Sequence, residues 1–368
     1  REAIRAHEDL GREAAERLAA NPLHVGRPLS QRLWTGSLGH TYVPVDGLAN
    51  VLFSTWETRV KDFEAFVSET GHDMSEPRSD DAKISWHNPG FEQTGDHPVV
   101  FVSRKDARDF CEWLTRTERA AGRLLPGQVY RLPTDREWSA AMGVLDEPGD
   151  FPADRKFPED VFTWPKGTEP PHNAENLNWK NDDFDFTAPV GSGIANRFGI
   201  YDLLGNVGEM CADPFNFDTA GTTRRGSAFQ SQAKVWRFWL VASDGSEPIG
   251  SSVVGFRPVL DLKTEEQRQV QIALEAAIAK YESGTSANKD VRRLRTLVND
   301  EMVLLDFTGV GYGGDEELKH FVGLPVTHLY LRPFGRELTH IARFPIRQLN
   351  LNTFTRLTNL ELMRELPL

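Results

Sequence analysis

Residues 224–239 read RRGSAFQSQAKVWRFW, a basic turn that runs into an aromatic-rich stretch. The segment KVWRFWLV (234–241) alternates in the period of a strand. Trp236, Phe238 and Leu240 fall on one face, and Val235, Arg237 and Trp239 on the other. One face is expected to be buried. Arg and Trp on the other are the residue types in which binding surfaces concentrate their energy. A redox or nucleophilic group is what the stretch lacks. The chain has two cysteines, Cys111 and Cys211, in no CxxC spacing, and ten histidines with no HxH or HExxH pairing. Zinc chemistry and a disulfide framework therefore have no support. Cys111 stands beside Trp113 and Leu114, and Cys211 follows Met210, so both read as inert core thiols. No nucleophile–base pairing stands out.

The elements that must position this stretch are legible from their caps. TRVKDFEAFVSETG (58–71) places Val60, Phe63, Phe66 and Val67 on one helical face and stops at Gly71. SRKDARDFCEWLTRTERAAG (103–122) opens with Ser103 and Asp106 in a capping-box spacing and closes at Gly122. LPTDREWSAAMG (132–143) repeats the device with Thr134 and Glu137, with Pro133 and Trp138 placed as a staple. A fourth helix over 264–283 starts with Thr264 and Gln267 and carries Val270, Leu274, Ile278 and Tyr281. An Ala-, Glu- and Arg-rich helix is expected over 1–21, ending at Asn21-Pro22, and GTSANKD (284–290) reads as a flexible joint. The remainder of 32–262 is short apolar stretches between Gly, Pro, Asn and Asp turns, an irregular α+β texture.

Acidic residues outnumber basic ones, 54 to 42, for a net charge of −12. That argues against nucleic acid as the main partner, because phosphate binding draws on clustered cations. No apolar run approaches the length of a membrane span. The start at Arg1 points to a processed protein or a piece of something longer.

The C-terminal part repeats. LKHFVGLPVTHLYL (318–331) and LTHIARFPIRQLNL (338–351) match at seven positions spaced 20 residues apart, among them Leu318/Leu338, Pro325/Pro345, Val326/Ile346 and Leu329/Leu349. Degenerate copies flank them (Leu294, Leu297, Leu305, Phe307; Leu360, Met363, Leu366). The pattern resembles leucine-rich repeats, which stack short strands into an α/β solenoid.

Between these parts stand YVPVDG (42–47), FSTWETRVKDFEAFV (53–67), HPVVFVSRKDARDFCEWL (97–114), YRLPTDREWSAAMG (130–143), TAPVGS (187–192), NRFGIYDLLGNVGEMCADPF (196–215), RRGSAF (224–229) and GFRPVL (255–260). In order, these phrases resemble the formylglycine-generating enzyme (sulfatase-modifying factor) family, whose fold is an elaborated C-type-lectin-like one. The chain thus reads as four parts: a linker helix over 1–31, the domain that resembles the family over 32–262, a helix and joint over 263–289, and the repeat segment over 290–368.

Active members of that family hold copper on two cysteines after the Arg-Gly-Ser turn and oxidise a substrate cysteine with dioxygen. Thiolates suit Cu(I) because both are soft. Laid against Gly226-Ser227, those positions are Gln230 and Val235, so no copper is expected. The iron-dependent branch of the family needs histidines from an extra helical domain. Here His7 and His24 are in no ligand spacing. The resemblance also implies calcium. Asp202, Gly205, Val207 and Glu209 match one ligand set, and Asn176, Leu177, Asp182 and Phe184 a second, with Asn173 competing for the place of Asn176. Carboxylate and carbonyl oxygens are what calcium prefers. Where relatives have Trp in GNVWEW, this chain has Gly208 and Met210. Because this region borders the ligand cleft of the fold, Gln230, Gln232, Arg237 and Trp239 are candidates to line a pocket.

The function expected from all this is non-catalytic recognition in a sensor or assembly role. A protein or small-molecule ligand would sit at the lectin-like cleft and the repeat face, with homo-oligomers and an extracytoplasmic setting compatible. Two alternatives stay open: an oxidoreductase with a non-copper metal centre, and a diversified lectin-like protein in which residues 228–243 vary.

Overall fold

The computed structural model describes residues 33–74, 83–145, 183–214, 221–230, 242–246, 250–284, 295–298, 303–306, 318–331 and 343–351. It divides into two compact units, residues 1–262 and 263–368. The expected helix over 1–21, the joint at 285–290 and the strand over 234–241 lie outside the described residues.

The first unit is built on an antiparallel sheet of five strands, β1 (Trp34–Thr35), β2 (Thr41–Pro44), β3 (Val51–Ser54), β4 (Val129–Arg131) and β9 (Val259–Asp261), in the order β1-β2-β3-β9-β4. The last strand of the unit thus sits between early ones. Leu52 faces Leu260, and Tyr130 faces Leu260 from the other side. Side chains alternate across the pleat. Tyr42, Leu52, Tyr130 and Leu260 point into one apolar cluster, while Val43, Val51, Phe53 and Val259 point into another.

Two helices cover the first face. In α1 (Val60–Thr70), the Asp62 carboxylate accepts the Arg59 backbone amide, and the helix ends at Gly71 with φ 64°. In α2 (Arg104–Ala120), Ser103 and Asp106 form the reciprocal cap. Phe63, Phe66, Phe110, Trp113 and Phe256 then meet ring against ring, with centroids 5.4–6.5 Å apart. On the second face lies α3 (Asp135–Ala141), capped by Thr134 and Glu137. Its Trp138 is wholly buried.

A second sheet of four strands, in the order β7-β6-β5-β8, contains β5 (Gly208–Pro214), β6 (Gly221–Arg225), β7 (Ala242–Ser246) and β8 (Val254–Gly255). Helices and mostly antiparallel strands mixed in this irregular order are an α+β architecture. Both cysteines are buried, and burial raises each thiol well above its ordinary pKa, as befits core thiols.

The second unit opens with α4 (Glu265–Gly284), capped by Thr264 and Gln267 as the spacing foretold. Four strands follow, β10 (Arg295–Val298), β11 (Val303–Asp306), β12 (His328–Leu331) and β13 (Gln348–Leu351). The first pair is antiparallel. From β11 through β12 to β13 the strands run parallel, and Leu329 is opposite Leu349. The 20-residue offset in the sequence is therefore the register of the ladder. Val326 and Ile346 are each fully buried one turn before their strands.

Candidate functional site

The Arg-Gly-Ser turn lies at the end of β6. Gly226 has φ 78°, a conformation that L residues rarely adopt. A Cβ there would stand 2.7 Å from the Leu203 carbonyl oxygen and 3.3 Å from the Trp138 ring. The turn is thus pressed against the loop 200–206. On one side Arg225 is sealed in the core, giving Nη1 to Asp135 at 2.6 Å and Nη2 to Ser139 at 2.8 Å, with its guanidinium 4.9 Å over Trp138. On the other side Ser227, Ala228 and Phe229 are buried and Gln230 emerges into solvent. Gln230 is the one expected pocket residue that falls within the described segments; Gln232, Arg237 and Trp239, like Val235, lie outside them.

Beneath the turn is a buried charge centre. Glu209, in β5, accepts from Arg257 Nε at Oε1, at 2.7 Å, and from Trp138 Nε1 at Oε2, at 2.8 Å. Arg257 also donates to the carbonyls of Ser54 and Tyr201, at 3.1 and 2.8 Å. Asp202, at φ 62°, accepts the Gly191 amide at 2.6 Å. Glu57 is fully buried here too, with its carboxyl against that of Asp202. Three acids therefore surround one guanidinium. Burial raises the pKa of Glu57, and the Asp202 charge raises it further. Burial likewise raises Asp202 and Glu209, with Arg257 opposing.

This donor set fits a hard cation. Neighbouring carboxyls in a dry site either share a proton or are neutralised by a cation, and Glu57 and Asp202 offer oxygen alone, the donor that calcium takes. Glu209 differs from the other two in that both of its oxygens already accept protein N–H groups. Glu57 was missed in the sequence because it precedes Asp202 by 145 positions inside a phrase that also starts a helix. Of the second expected set, Asn176, Leu177 and Asp182 lie outside the described residues. Phe184 lines an open cleft. Among the described residues no group of three or more His, Cys, Asp or Glu is arranged as a metal centre.

That cleft, of about 650 Å³, is walled by residues 92–94, His97 and residues 183–187. Its neighbour is an aromatic stack. Phe91 and Phe186 lie parallel with centroids 4.7 Å apart, and Phe229 sets its ring against each, at 5.7 and 5.8 Å. Phe229 is also tied by its amide to the Asn206 carbonyl. The cleft, the aromatic stack and Gln230 thus belong to one neighbourhood.

A second polar string has the look of an acyl-transfer relay. His40 Nδ1 is 3.1 Å from Ser54 Oγ and Nε2 is 2.6 Å from Asp62 Oδ2. All three side chains are buried, and Ser54 donates to the Trp56 carbonyl at 2.7 Å. A hydroxyl sealed from substrate and already committed cannot attack. The string is a tether between the sheet and α1.

The sulfatase-modifying factor enzyme 1-like domain matches residues 48–262. A formylglycine-generating enzyme of Thermomonospora curvata is 30% identical over 189 residues, 45% of this chain and 56% of that protein. An inactive C-alpha-formylglycine-generating enzyme 2 of Bos taurus is 31% identical over 174 residues, 44% of this chain and 46% of that one. The solved structure of PvdO from Pseudomonas aeruginosa aligns with a TM-score of 0.43 at 23% identity, covering 57% of this chain and 80% of that chain. The chain spans about half the length of the two curated relatives. With its matched segment running from just before β3 to just past β9, over more than half of its length, the chain belongs to the formylglycine-generating enzyme (sulfatase-modifying factor) family.

Proposed function

We propose that this chain is a non-catalytic recognition module on the formylglycine-generating enzyme scaffold. The observation that carries the reading is the pair Gln230 and Val235 at the positions where the family's copper thiolates would stand. An amide and an alkyl group cannot hold Cu(I) as soft thiolates do, whereas the exposed Gln230 beside Phe229 is suited to contact a ligand. The inactive relative in Bos taurus is compatible with the same loss. The placement of the unit's last strand, β9, between β3 and β4 is compatible with a C-type-lectin-like frame.

Two structural proposals accompany it. Calcium would be held by Asp202 and Glu57 with the carbonyls of Gly205 and Val207, as a stabilising ion for the loop that backs the turn. Residues 290–368 would be a short leucine-rich solenoid, which the parallel β11-β12-β13 ladder supports, offering a second binding face.

The test is incubation of copper-loaded protein with cysteine peptides in air, read by mass spectrometry. Unchanged peptides are expected. Conversion of cysteine to formylglycine would overturn the reading.

A further inference from the structure

We propose that the groove between α2 and the edge strand β4 binds an acidic peptide segment, with its carboxylates on Arg116 and Arg119 and an apolar side chain on the floor of the groove. The site shares no residue with the Arg-Gly-Ser turn or the buried charge centre, so it is a surface additional to the one at Gln230.

Positions 108, 112, 115, 116 and 119 of α2 recur at helical spacing and wall one side of a groove of about 420 Å³. The opposite wall is β4, the last strand in the order of the five-stranded sheet. Its charged lining is Arg108, Arg116, Arg119 and Arg131 against Glu112 alone. That balance runs against the chain's own, in which acids outnumber bases 54 to 42. Arg131 is neutralised by Glu137 and Asp261, at 2.7 and 2.9 Å. Arg116 and Arg119 are exposed, and among the described residues neither forms an ion pair.

Arg119 is also held in place. Its Nη2 donates to the Gln128 carbonyl at 2.8 Å, which anchors the guanidinium to the strand while leaving its charge uncompensated. A guanidinium carries five N–H groups in a fixed fork, and a carboxylate can take two of them in parallel. Cys111, Tyr130 and Leu132 are the buried part of the lining, an apolar floor. Cations above an apolar floor are complementary to a chain that brings both carboxylates and an alkyl group. A nucleic-acid backbone brings phosphates without such a side chain. Nor is strand addition the mode of binding. The Tyr130 amide is taken by Thr115 Oγ1 at 2.8 Å, and the Gln128 carbonyl by Arg119, so the ligand is held by its side chains. From residue 108 to 119 the helix rises about 16 Å, the span of about five extended residues.

The experiment uses the full chain at low ionic strength and peptides labelled with tetramethylrhodamine through an N-terminal Gly-Ser spacer. Anisotropy titrations compare Asp-Asp-Leu-Asp-Asp with three probes. Asn-Asn-Leu-Asn-Asn keeps its shape and loses its charge, Asp-Asp-Gly-Asp-Asp loses the alkyl group, and a labelled pentathymidylate supplies phosphates. The first peptide is expected to bind at least about tenfold more tightly than each of the others. Arg116→Gln and Arg119→Gln are each expected to weaken it at least about threefold, while Arg197→Gln, exposed outside the groove, leaves it unchanged. Melting temperatures equal to the parent's certify the fold of the variants, and the comparison of probes on the parent chain stands without them. A smaller difference for any of the three probes, no binding at all, or indifference to both groove variants overturns the proposal. The peptides contain no cysteine, so none of these outcomes bears on the cysteine-peptide assay, and failure here is distinguishable from failure of the non-catalytic reading.

Discussion

Trp138 and Glu209 are joined across 71 residues of sequence by a 2.8 Å hydrogen bond from indole to carboxylate, and Arg257 closes the other oxygen at 2.7 Å. The Glu209 carboxylate therefore links α3, β5 and the approach to β9 through a single buried group. Replacing it removes the carboxylate bonded directly to a fully buried guanidinium, which costs far more than the pair itself contributes. Glu209→Gln is expected to destabilise the first unit by about 3–5 kcal/mol, read as a lower urea midpoint with an unchanged slope.

Gly226 permits the turn that carries Gln230 outward. Gly226→Ala forces an L residue to φ 78° and drives its Cβ to 2.7 Å from the Leu203 carbonyl. Neither strain can relax by rotating a side chain, since the obstacle is backbone. The expected loss is about 1–3 kcal/mol from the dihedral alone, before the clash is added. Thermal melts of the variant check it. A variant as stable as the parent would show that the turn is not held against the 200–206 loop.

Much of the first unit was legible because helix caps and periodicity are local. Ser103 with Asp106 and Thr134 with Glu137 are three residues apart, and each pair forms the expected bonds. The 20-residue repeat likewise emerges as a strand register. The charge centre was legible only in part. Asp202 and Glu209 sat in one phrase, but Glu57, Trp138 and Arg257 reach the same point from three others. A lone sequence shows their types and not their convergence. Glu57 reads as an ordinary helix-leading acid until burial is known. The aromatic stack failed for the same reason: Phe91, Phe186 and Phe229 lie in three loops with no common period.

Asp62 provides a pH prediction with a definite sign. Burial alone would raise its pKa, but the bonds from His40 and Arg59 prevail and hold it below the usual carboxylate value. A depressed acid contributes stability that is fully present above its unfolded pKa of about 3.9 and is lost as the pH falls through its lower folded value. Urea unfolding between pH 5 and 3 is expected to show a falling midpoint, with part of the slope absent in Asp62→Asn. An identical acid limb in that variant would place the titration elsewhere.

Calcium is expected to act through Glu57 and Asp202. An ion that binds only the folded chain stabilises it by about 2.7 kcal/mol at a hundredfold excess over its dissociation constant, so the melting temperature should rise with calcium and fall with EDTA. Glu57→Gln removes one charge from a centre where three acids face Arg257. It is expected to abolish the calcium response while leaving the EDTA form no less stable than the parent. A calcium response that survives in this variant would exclude Glu57 as a ligand.

The second unit invites a test of whether its turns stack. Val326 and Ile346 occupy equivalent positions before β12 and β13, both fully buried, and the Arg347 amide reaches the Thr327 carbonyl at 2.7 Å between the two turns. In a stacked array each turn is stabilised by its neighbour, so damage to one should alter the effect of damage to the next. Ile346→Ala is expected to cost about 2–5 kcal/mol. Combined with Val326→Ala, the sum should depart from additivity by more than about 0.5 kcal/mol, the limit for independent sites. Urea unfolding of the two single variants and the double variant measures that difference. Strict additivity would mean that the 20-residue register is a feature of the strands alone, with two side chains buried in separate pockets and no shared core between successive turns.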